Sequence, residues 1–258
     1  MAVRAPHLDG ACLRGPRADV GRTFRCHGPM TPRRIGRPAR RASGAPGGRG
    51  PRPTLVLFVR HGLTPTTGKV LPGRSHGLHL AEEGRAQATR VAERIAGLNR
   101  APTAVYASPL ERTRETASPI ARALGVRVRT ERGLIECDVG DWTGASLTSV
   151  AKKAEWAAVQ QWPSGFQFPG GESFADLQVR TAGAVLRLVH RHPGETIVAV
   201  SHADPIKAVV VAAAGMPLDM FQRIVISPCS VSAVLYGPGG PRVLCINSTS
   251  ELKELVPS

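Results

Sequence analysis

Two histidines and two arginines stand directly after short apolar runs, a position where α/β proteins often keep their chemistry. Arg60 and His61 follow one run, His202 follows another, and Arg112 falls in the first turn of a predicted helix after a third. Parallel strands open their ligand crevice at their carboxyl ends. Cationic side chains gathered there require an anion, and a phosphoryl group suits them. A helix start beside Arg112 would add N–H donors and a dipole of the same sign.

Each of these residues also has a plainer interpretation. A histidine after a strand often only begins a polar loop, and an arginine in a first turn is commonly a solvated side chain. His202 alone is equally consistent with a core histidine whose hydrogen bonds are satisfied. Their joint occurrence after predicted strands favours the chemical interpretation.

The elements that would position these side chains alternate between strand and helix. Continuous apolar runs are typical of strands buried on both faces of a parallel sheet. The alternation, followed by short consecutive strands, predicts an α/β fold with a mainly parallel sheet and an antiparallel margin. The predicted strands are 55–59, 104–107, 126–128, 196–200, 224–226, 231–236 and 243–247, and the predicted helices are 81–98, 110–124, 148–161, 174–192 and one around 206–213.

Composition separates a basic N-terminal extension from a globular remainder. The 258-residue chain is 42% hydrophobic and carries a formal net charge of +15. Residues 1–53 hold twelve arginines, two acidic residues, eight prolines and nine glycines, and so account for +10 of that charge. Such a segment cannot bury enough apolar surface to offset its ordering entropy. We therefore expect a disordered extension over residues 1–53 and one domain over 54–258.

The basic extension has three alternative interpretations. It could bind nucleic acid or an anionic membrane by charge, but Phe24 is its single aromatic residue, which disfavours nucleic acid as a partner. It could be a targeting presequence, although its Pro and Gly content disfavours an amphipathic helix. It could also reflect a start assigned too early, with Met30 opening a shorter chain. We favour an extension without function.

The apolar segments and the cysteines of the sequence indicate the cellular compartment and whether a zinc site is expected. No apolar segment is long enough to span a bilayer, and no secretory signal fits the first residues. The five cysteines are scattered, odd in number and without a CxxC pair, so we expect a reduced cytoplasmic protein with no zinc site. The oligomeric state is open.

Several motifs occur in the order that they have in one known family. They are Arg60-His61-Gly62 with Thr64, Gly73-Arg74, the run 80–88 (LAEEGRAQA), the run 108–113 (SPLERT), Glu136 ahead of the run 140–144 (GDWTG), the run 169–173 (PGGES), and Ser201-His202. With these motifs the chain resembles the histidine phosphatase, or phosphoglycerate mutase-like, superfamily from Thr54 to Asn247. The resemblance implies a three-layer α/β/α fold and a metal-independent phosphomonoesterase that needs no cofactor and acts on a small phosphate ester.

The resemblance also implies a role for each site residue. His61 would accept the phosphoryl group as phosphohistidine. Arg60, Arg112 and His202 would hold its oxygens, with Thr67 standing where many members have a phosphate-binding asparagine. Glu136 would be the general acid and then the general base, which requires a raised pKa. Thr64 and Arg74 would contact the substrate, and His202 would be a catalytic residue as well as a phosphate ligand. Asp138 and Asp141 are alternatives to Glu136 as the proton donor.

Two other functions remain open. True mutases of the family usually carry a longer insertion and a tryptophan soon after the RHG motif, and neither occurs between Gly62 and Gly73. A phosphomutase of the phosphoglycerate mutase type is nevertheless an alternative. A non-catalytic phosphate-binding or regulatory protein is the second, disfavoured because both histidines, both arginines and Glu136 are retained. We further expect His76 and the segment 142–168 to face the leaving group, whose identity the sequence does not give.

Overall fold

Six strands form one sheet in the order β3-β2-β4-β1-β5-β6, in a computed structural model that describes residues 52–250. β1 to β4 are mutually parallel, β5 runs antiparallel to β1, and β6 antiparallel to β5. The antiparallel pair is the predicted margin. The predicted extension lies outside the described residues apart from its last two positions. The strands are β1 Thr54–Arg60, β2 Ala104–Ala107, β3 Val128–Thr130, β4 Thr196–Ser201, β5 Val231–Gly237 and β6 Gly240–Ser248.

Helices cover both faces of this sheet, which confirms the three-layer α/β/α architecture. Successive residues of β1 point to opposite faces: Val56 and Phe58 belong to one apolar cluster, and Leu57 and Val59 belong to the other. α5 and α6 pack into the first cluster, and α1 and α2 into the second. The helices are α1 Glu82–Ala96, α2 Glu111–Ala123, α3 Leu147–Val150, α4 Trp156–Gln161, α5 Phe174–Arg191 and α6 Ala203–Ala213.

The helix ends follow from local sequence. Ser173 caps α5, because its hydroxyl accepts a hydrogen bond from the N–H of Asp176, as the Ser-x-x-Asp pattern predicts. Gly125 ends α2 with a φ of +67°, and the N–H of Val126 donates to the carbonyl of Ala121 at 3.0 Å. This is the glycine-dependent termination in which a residue beyond the helix satisfies its last carbonyls.

Three predicted elements were wrong in extent or type. The third strand begins at Val128 instead of Val126, because the N–H of Val126 belongs to the end of α2. The helical segment predicted over 148–161 is two short helices, α3 and α4, separated by a turn. Residues 224–226 are not a strand. Their apolar side chains suggested one, but Ile224 and Ile226 are buried in the core from a segment without regular secondary structure.

No helix within residues 52–250 has the length and apolar character needed to cross a bilayer. Cys137, Cys229 and Cys245 are free thiols. No group of three or more His, Cys, Asp or Glu side chains in that range has the arrangement of a metal site.

Candidate active site

Two neighbouring strands bring the two histidines together. β1 and β4 are parallel and in register, so that Arg60 at the end of β1 lies beside Ser201 at the end of β4. The next residues are His61 and His202, whose ring centroids are 5.2 Å apart at an angle of 63°. The N–H of His61 donates to the carbonyl of Ser201 at 2.9 Å and fixes this arrangement. The sheet edge therefore holds the predicted pair.

The ring of His61 is fixed in one tautomer. Its Nδ1 is 2.8 Å from the carbonyl oxygen of Gly62, which can only accept a hydrogen bond, so Nδ1 carries the proton. Nε2 keeps its lone pair. Burial, and then the charges of Arg60 and Arg112, lower the pKa of His61 to about 3. The imidazole is therefore neutral at physiological pH and presents a nucleophilic nitrogen.

His202 is held in the same tautomer by a different contact. Its Nε2 is 2.8 Å from the hydroxyl oxygen of Ser108, which also accepts the N–H of Leu110 at 3.5 Å. Ser108 is fully buried, and Nε2 is the one acceptor that its hydroxyl proton has among residues 52–250, so Nε2 accepts that proton and the ring proton belongs on Nδ1. That nitrogen is buried without a hydrogen-bond partner among residues 52–250. Burial and the charge of Arg112 hold the pKa of His202 well below its usual value, so the neutral ring offers one unpaired N–H.

The two arginines are held by backbone carbonyls. Arg112 is fully buried in the first turn of α2, and its Nη2 donates to the carbonyl of Gly73 at 2.9 Å. The Nη1 of Arg60 donates to the carbonyl of Ile226 at 2.6 Å. The Nε of each arginine is buried without a hydrogen-bond partner among the described residues. Carbonyls neutralise no charge, so these cations lie ready for an anion.

Glu136 is the carboxylate that contacts His202. Its Oε2 lies 3.8 Å from Nδ1 of His202, and its Oε1 accepts the N–H of Cys137 at 2.9 Å. Burial, and then the negative charge of Asp204, raise the pKa of Glu136 to about 7, against the opposing charges of the two arginines. A carboxyl group with this pKa can both give and take a proton near neutrality. No sequence pattern indicated the contribution of Asp204.

The rival carboxylates are differently placed. Asp138 is bound through Oδ2 to Nη1 of Arg74 at 3.1 Å, and through Oδ1 to the N–H of Gly140 at 3.1 Å. Asp141 is exposed to solvent. Neither has a contact with the histidines comparable to that of Glu136.

Two arginines and one glutamate hold the backbone of Glu136 in place. Arg74 donates to the carbonyl of Glu136 at 3.0 Å and to Glu172 at 3.1 Å. Arg180, on α5, donates to both carboxylate oxygens of Glu172 at 2.8 and 2.9 Å, and to the carbonyl of Ile135 at 3.1 Å. Sequence reasoning assigned no role to Arg180. The signal available was Glu172 inside the PGGES motif, since a buried carboxylate requires a cation.

The loop after His61 packs closely against α1. A Cβ on Gly62 would lie 2.5 Å from the carbonyl oxygen of Gly84, and one on Gly84 would lie 2.0 Å from that of Leu63. Only glycine fits at either position, which accounts for the glycines in both motifs. In the same loop the hydroxyl of Thr67 accepts the N–H of Thr64 at 2.9 Å.

The segment 142–168 was expected to face the leaving group, and packing contradicts this expectation for three of its rings. Within the segment 142–168, the rings of Trp142, Phe166 and Phe168 are buried in the core and contact one another. They are not available to a leaving group.

The fold agrees with comparisons to known proteins. A family model described as histidine phosphatase superfamily (branch 1) matches residues 56–249. The chain therefore belongs to the histidine phosphatase superfamily, whose enzymes are phosphatases or phosphomutases.

Three proteins illustrate the relation. Phosphoserine phosphatase 1 of Hydrogenobacter thermophilus is 32% identical over 187 residues, which cover 70% of this chain and 88% of that protein. A probable phosphoglycerate mutase of Cronobacter sakazakii is 32% identical over 185 residues, covering 70% and 84%. The solved structure of a phosphoserine phosphatase mutant from Entamoeba histolytica, in complex with phosphoserine, has a TM-score of 0.69 at 27% identity and covers 76% of this chain and 98% of that one.

Proposed function

We propose that this chain is a metal-independent phosphomonoesterase that acts on a small phosphorylated metabolite through a phosphohistidine at His61. The observation that carries the proposal is a group of three buried N–H donors without partners among the described residues, on Arg60, Arg112 and His202. The charges of Arg60 and Arg112 act on neutral His61, and the ring of His202 contacts it. Nδ1 of His61 is bound to the Gly62 carbonyl, so the lone pair of its Nε2 stays available. Donors of this kind stabilise the spread charge of a transferring phosphoryl group.

In the first half of the reaction, Nε2 of His61 attacks phosphorus and the bond from phosphorus to the leaving oxygen breaks. Protonated Glu136 gives its proton to that oxygen, and the product alcohol leaves. A neutral nucleophile and a protonated acid are required together. The pKa of about 3 for His61 and about 7 for Glu136 allow both states between these values.

In the second half, the carboxylate of Glu136 takes a proton from water. The water oxygen attacks phosphorus, the bond from phosphorus to Nε2 breaks, and inorganic phosphate leaves. His61 and protonated Glu136 are regenerated, so each turnover consumes one water and no other reactant. Splitting one difficult displacement in two is the advantage of covalent catalysis.

The remaining residues have supporting roles in the proposal. Positive charge that a metal ion supplies in other phosphotransferases comes here from Arg60 and Arg112, which explains the proposed independence of metal. Thr67 and Thr64 offer hydroxyls in the loop beside His61, Thr67 to phosphate and Thr64 to substrate. Arg74 contributes a substrate contact and, through its bond to the carbonyl of Glu136, positions the acid.

A phosphomutase is the second candidate. It is favoured by the relative named a probable phosphoglycerate mutase. A phosphatase stays first because the insertion and tryptophan typical of the true mutases are missing between Gly62 and Gly73. Phosphoserine is the first ester to test, since both a curated relative and a solved structure are named phosphoserine phosphatases. A silent phosphate-binding protein would bind the ester without releasing phosphate.

The deciding experiment is a phosphatase screen over small phosphate esters with a chelator present. It compares the wild type with His61→Ala and with His79→Ala, an exposed histidine that serves as the matched control. We expect phosphate release by the wild type and the control only, and an acid-labile phosphoryl group on the wild type after rapid quenching. Activity that survives in His61→Ala, or that requires added metal, contradicts the mechanism. An isomerised ester in place of phosphate identifies a mutase.

A further inference from the structure

The outward face of α5 carries apolar side chains that nothing within residues 52–250 covers. Asp176, Val179, Gly183, Leu186 and His190 recur at spacings of three and four, opposite the buried face of the helix. Val179 is 74% exposed and Leu186 is 47% exposed. The spacing is that of a helix seam which packs against a second helix.

A groove continues this face at the C-terminal end of α5. It has a volume of about 400 Å³, and Leu186, Val189 and His190 form one of its walls. Tyr236 and Pro241, from β5 and β6, are among the residues of the opposite wall. Thr54, at the start of β1, also lines the groove, so it lies at the opposite end of the sheet from His61. The groove and the candidate active site are therefore separate.

Charge along this face is arranged in a self-complementary way. The N-terminal turn of α5 carries Asp176, and the C-terminal turn carries His190 and Arg191. Two such helices packed antiparallel place the acidic end of each beside the basic end of the other. A parallel arrangement would bring like charges together. The face thus fits a copy of itself in one orientation.

We propose that the α5 face, defined by Asp176, Val179, Gly183, Leu186 and His190, is the interface of a homodimer. The two-fold axis passes near Gly183, where the missing side chain lets the helices approach closely. Val179 of each chain then lies against Leu186 of the other. Such an isologous contact closes on itself and covers Val179 and Leu186 of both chains.

The area of the contact is consistent with a stable dimer only if the groove takes part. Asp176 and His190 are separated by 14 residues of helix, or about 21 Å at 1.5 Å per residue. Stable interfaces bury roughly 1,200–2,000 Å² in total. A single helix pair is short for that area, and the apolar groove beside Leu186 provides the additional surface for the second copy.

The first test measures the oligomeric state of the full chain by light scattering and sedimentation over a range of concentrations. We expect a dimer for the wild type, and a dimer constant weakened at least about tenfold by Val179→Asp or Leu186→Asp, because each buries an unpaired charge. Val225→Asp is the matched control, since Val225 is 67% exposed but lies outside α5, and it should remain dimeric. A monomeric wild type, or a dimer that both α5 variants leave intact, overturns the proposal.

The second test uses the charges. Asp176→Arg alone and His190→Glu alone should each weaken the dimer, because the two-fold axis near Gly183 places Asp176 of one chain against His190 of the other, and each change then brings like charges together. A mixture of the two variants should form a heterodimer in which the introduced arginine of one chain faces the introduced glutamate of the other. Retained phosphatase activity in each single variant shows that the fold is intact. If mixing restores no dimer, the antiparallel arrangement is wrong.

Discussion

Glu136 is expected to make the fold less stable as the pH rises toward and above its raised pKa of about 7. The replacement Glu136→Gln keeps the shape of the side chain and removes its charge. We expect this variant to be inactive and yet more stable than the wild type at pH 8, with the two proteins equally stable near pH 4.5. An active-site residue that costs stability is common in enzymes.

The magnitude follows from the pKa. Burial raises the pKa of Glu136 from 4.5 to about 7 in the folded protein. Between these values the folded state holds a proton that the unfolded state has lost, so stability falls as pH rises through this window and reaches its full loss above it. At about 1.4 kcal/mol for each pH unit the loss is roughly 3 kcal/mol. Since 14% of the side chain is exposed, this is an upper bound.

The assay is urea and thermal unfolding of both proteins at pH 8 and pH 4.5. For a domain of this size, roughly 3 kcal/mol corresponds to a Tm higher by about 6–12 °C in the variant at pH 8. Glu172→Gln is the matched control, because Glu172 is paired with Arg74 and Arg180, so that its loss should lower stability at pH 8. A Glu136→Gln protein that is no more stable than the wild type at pH 8 refutes the reasoning.

Three further outcomes are expected. In a pH–rate profile, kcat/KM should fall above about pH 7 as Glu136 loses its proton. In Asp204→Asn the fall should begin at lower pH, because the charge of Asp204 raises the pKa of Glu136. A profile that does not move in this variant argues against Glu136 as the acid. A lysine at position 180 cannot keep every hydrogen bond that Arg180 makes to Glu172 and to the backbone near Glu136. Arg180→Lys should therefore reduce kcat about tenfold with little change in KM. A change confined to KM would contradict a positioning role for Arg180. The side chain of Asn247 accepts the N–H of Ser227 at 2.6 Å, in the loop that contacts the backbone of Arg60. Asn247→Ala removes this acceptor, so inhibition by inorganic phosphate should weaken. An unchanged inhibition constant would show that this loop does not position Arg60.

The parts of the fold that sequence predicted well are those with strong local signals. β1 and β4 were found from unbroken apolar runs, and the start of α5 from its Ser173 cap, because each signal lies within a few residues. The segment 224–226 misled for a physical reason. Buried isoleucines look the same in a strand and in an extended loop, and here the carbonyl of Ile226 binds Arg60 instead of another strand.

In the candidate site, too, local signals were predicted from the sequence and contacts between distant residues were not. The sequence predicted that His61 and His202 lie at one edge of the sheet, because the end of an apolar run marks the end of a buried strand. It could not give the tautomers, which depend on the Gly62 carbonyl and on the hydroxyl of Ser108. The role of Arg180 was also hidden, since its partners lie 8 to 47 residues away along the chain and only the fold brings them together.

The order of the strands has a consequence for synthesis of the chain. β1 is the most N-terminal strand, yet both of its neighbours, β4 and β5, follow it by about 140 residues or more. At about 5–20 residues per second, a ribosome needs roughly 7–30 s to complete β4 after β1 has been made. During that time the apolar strand that ends at Arg60 has two open edges, which exposes the nascent chain to aggregation. A fragment that stops before Thr196 therefore lacks the centre of its sheet and cannot assemble the phosphate site.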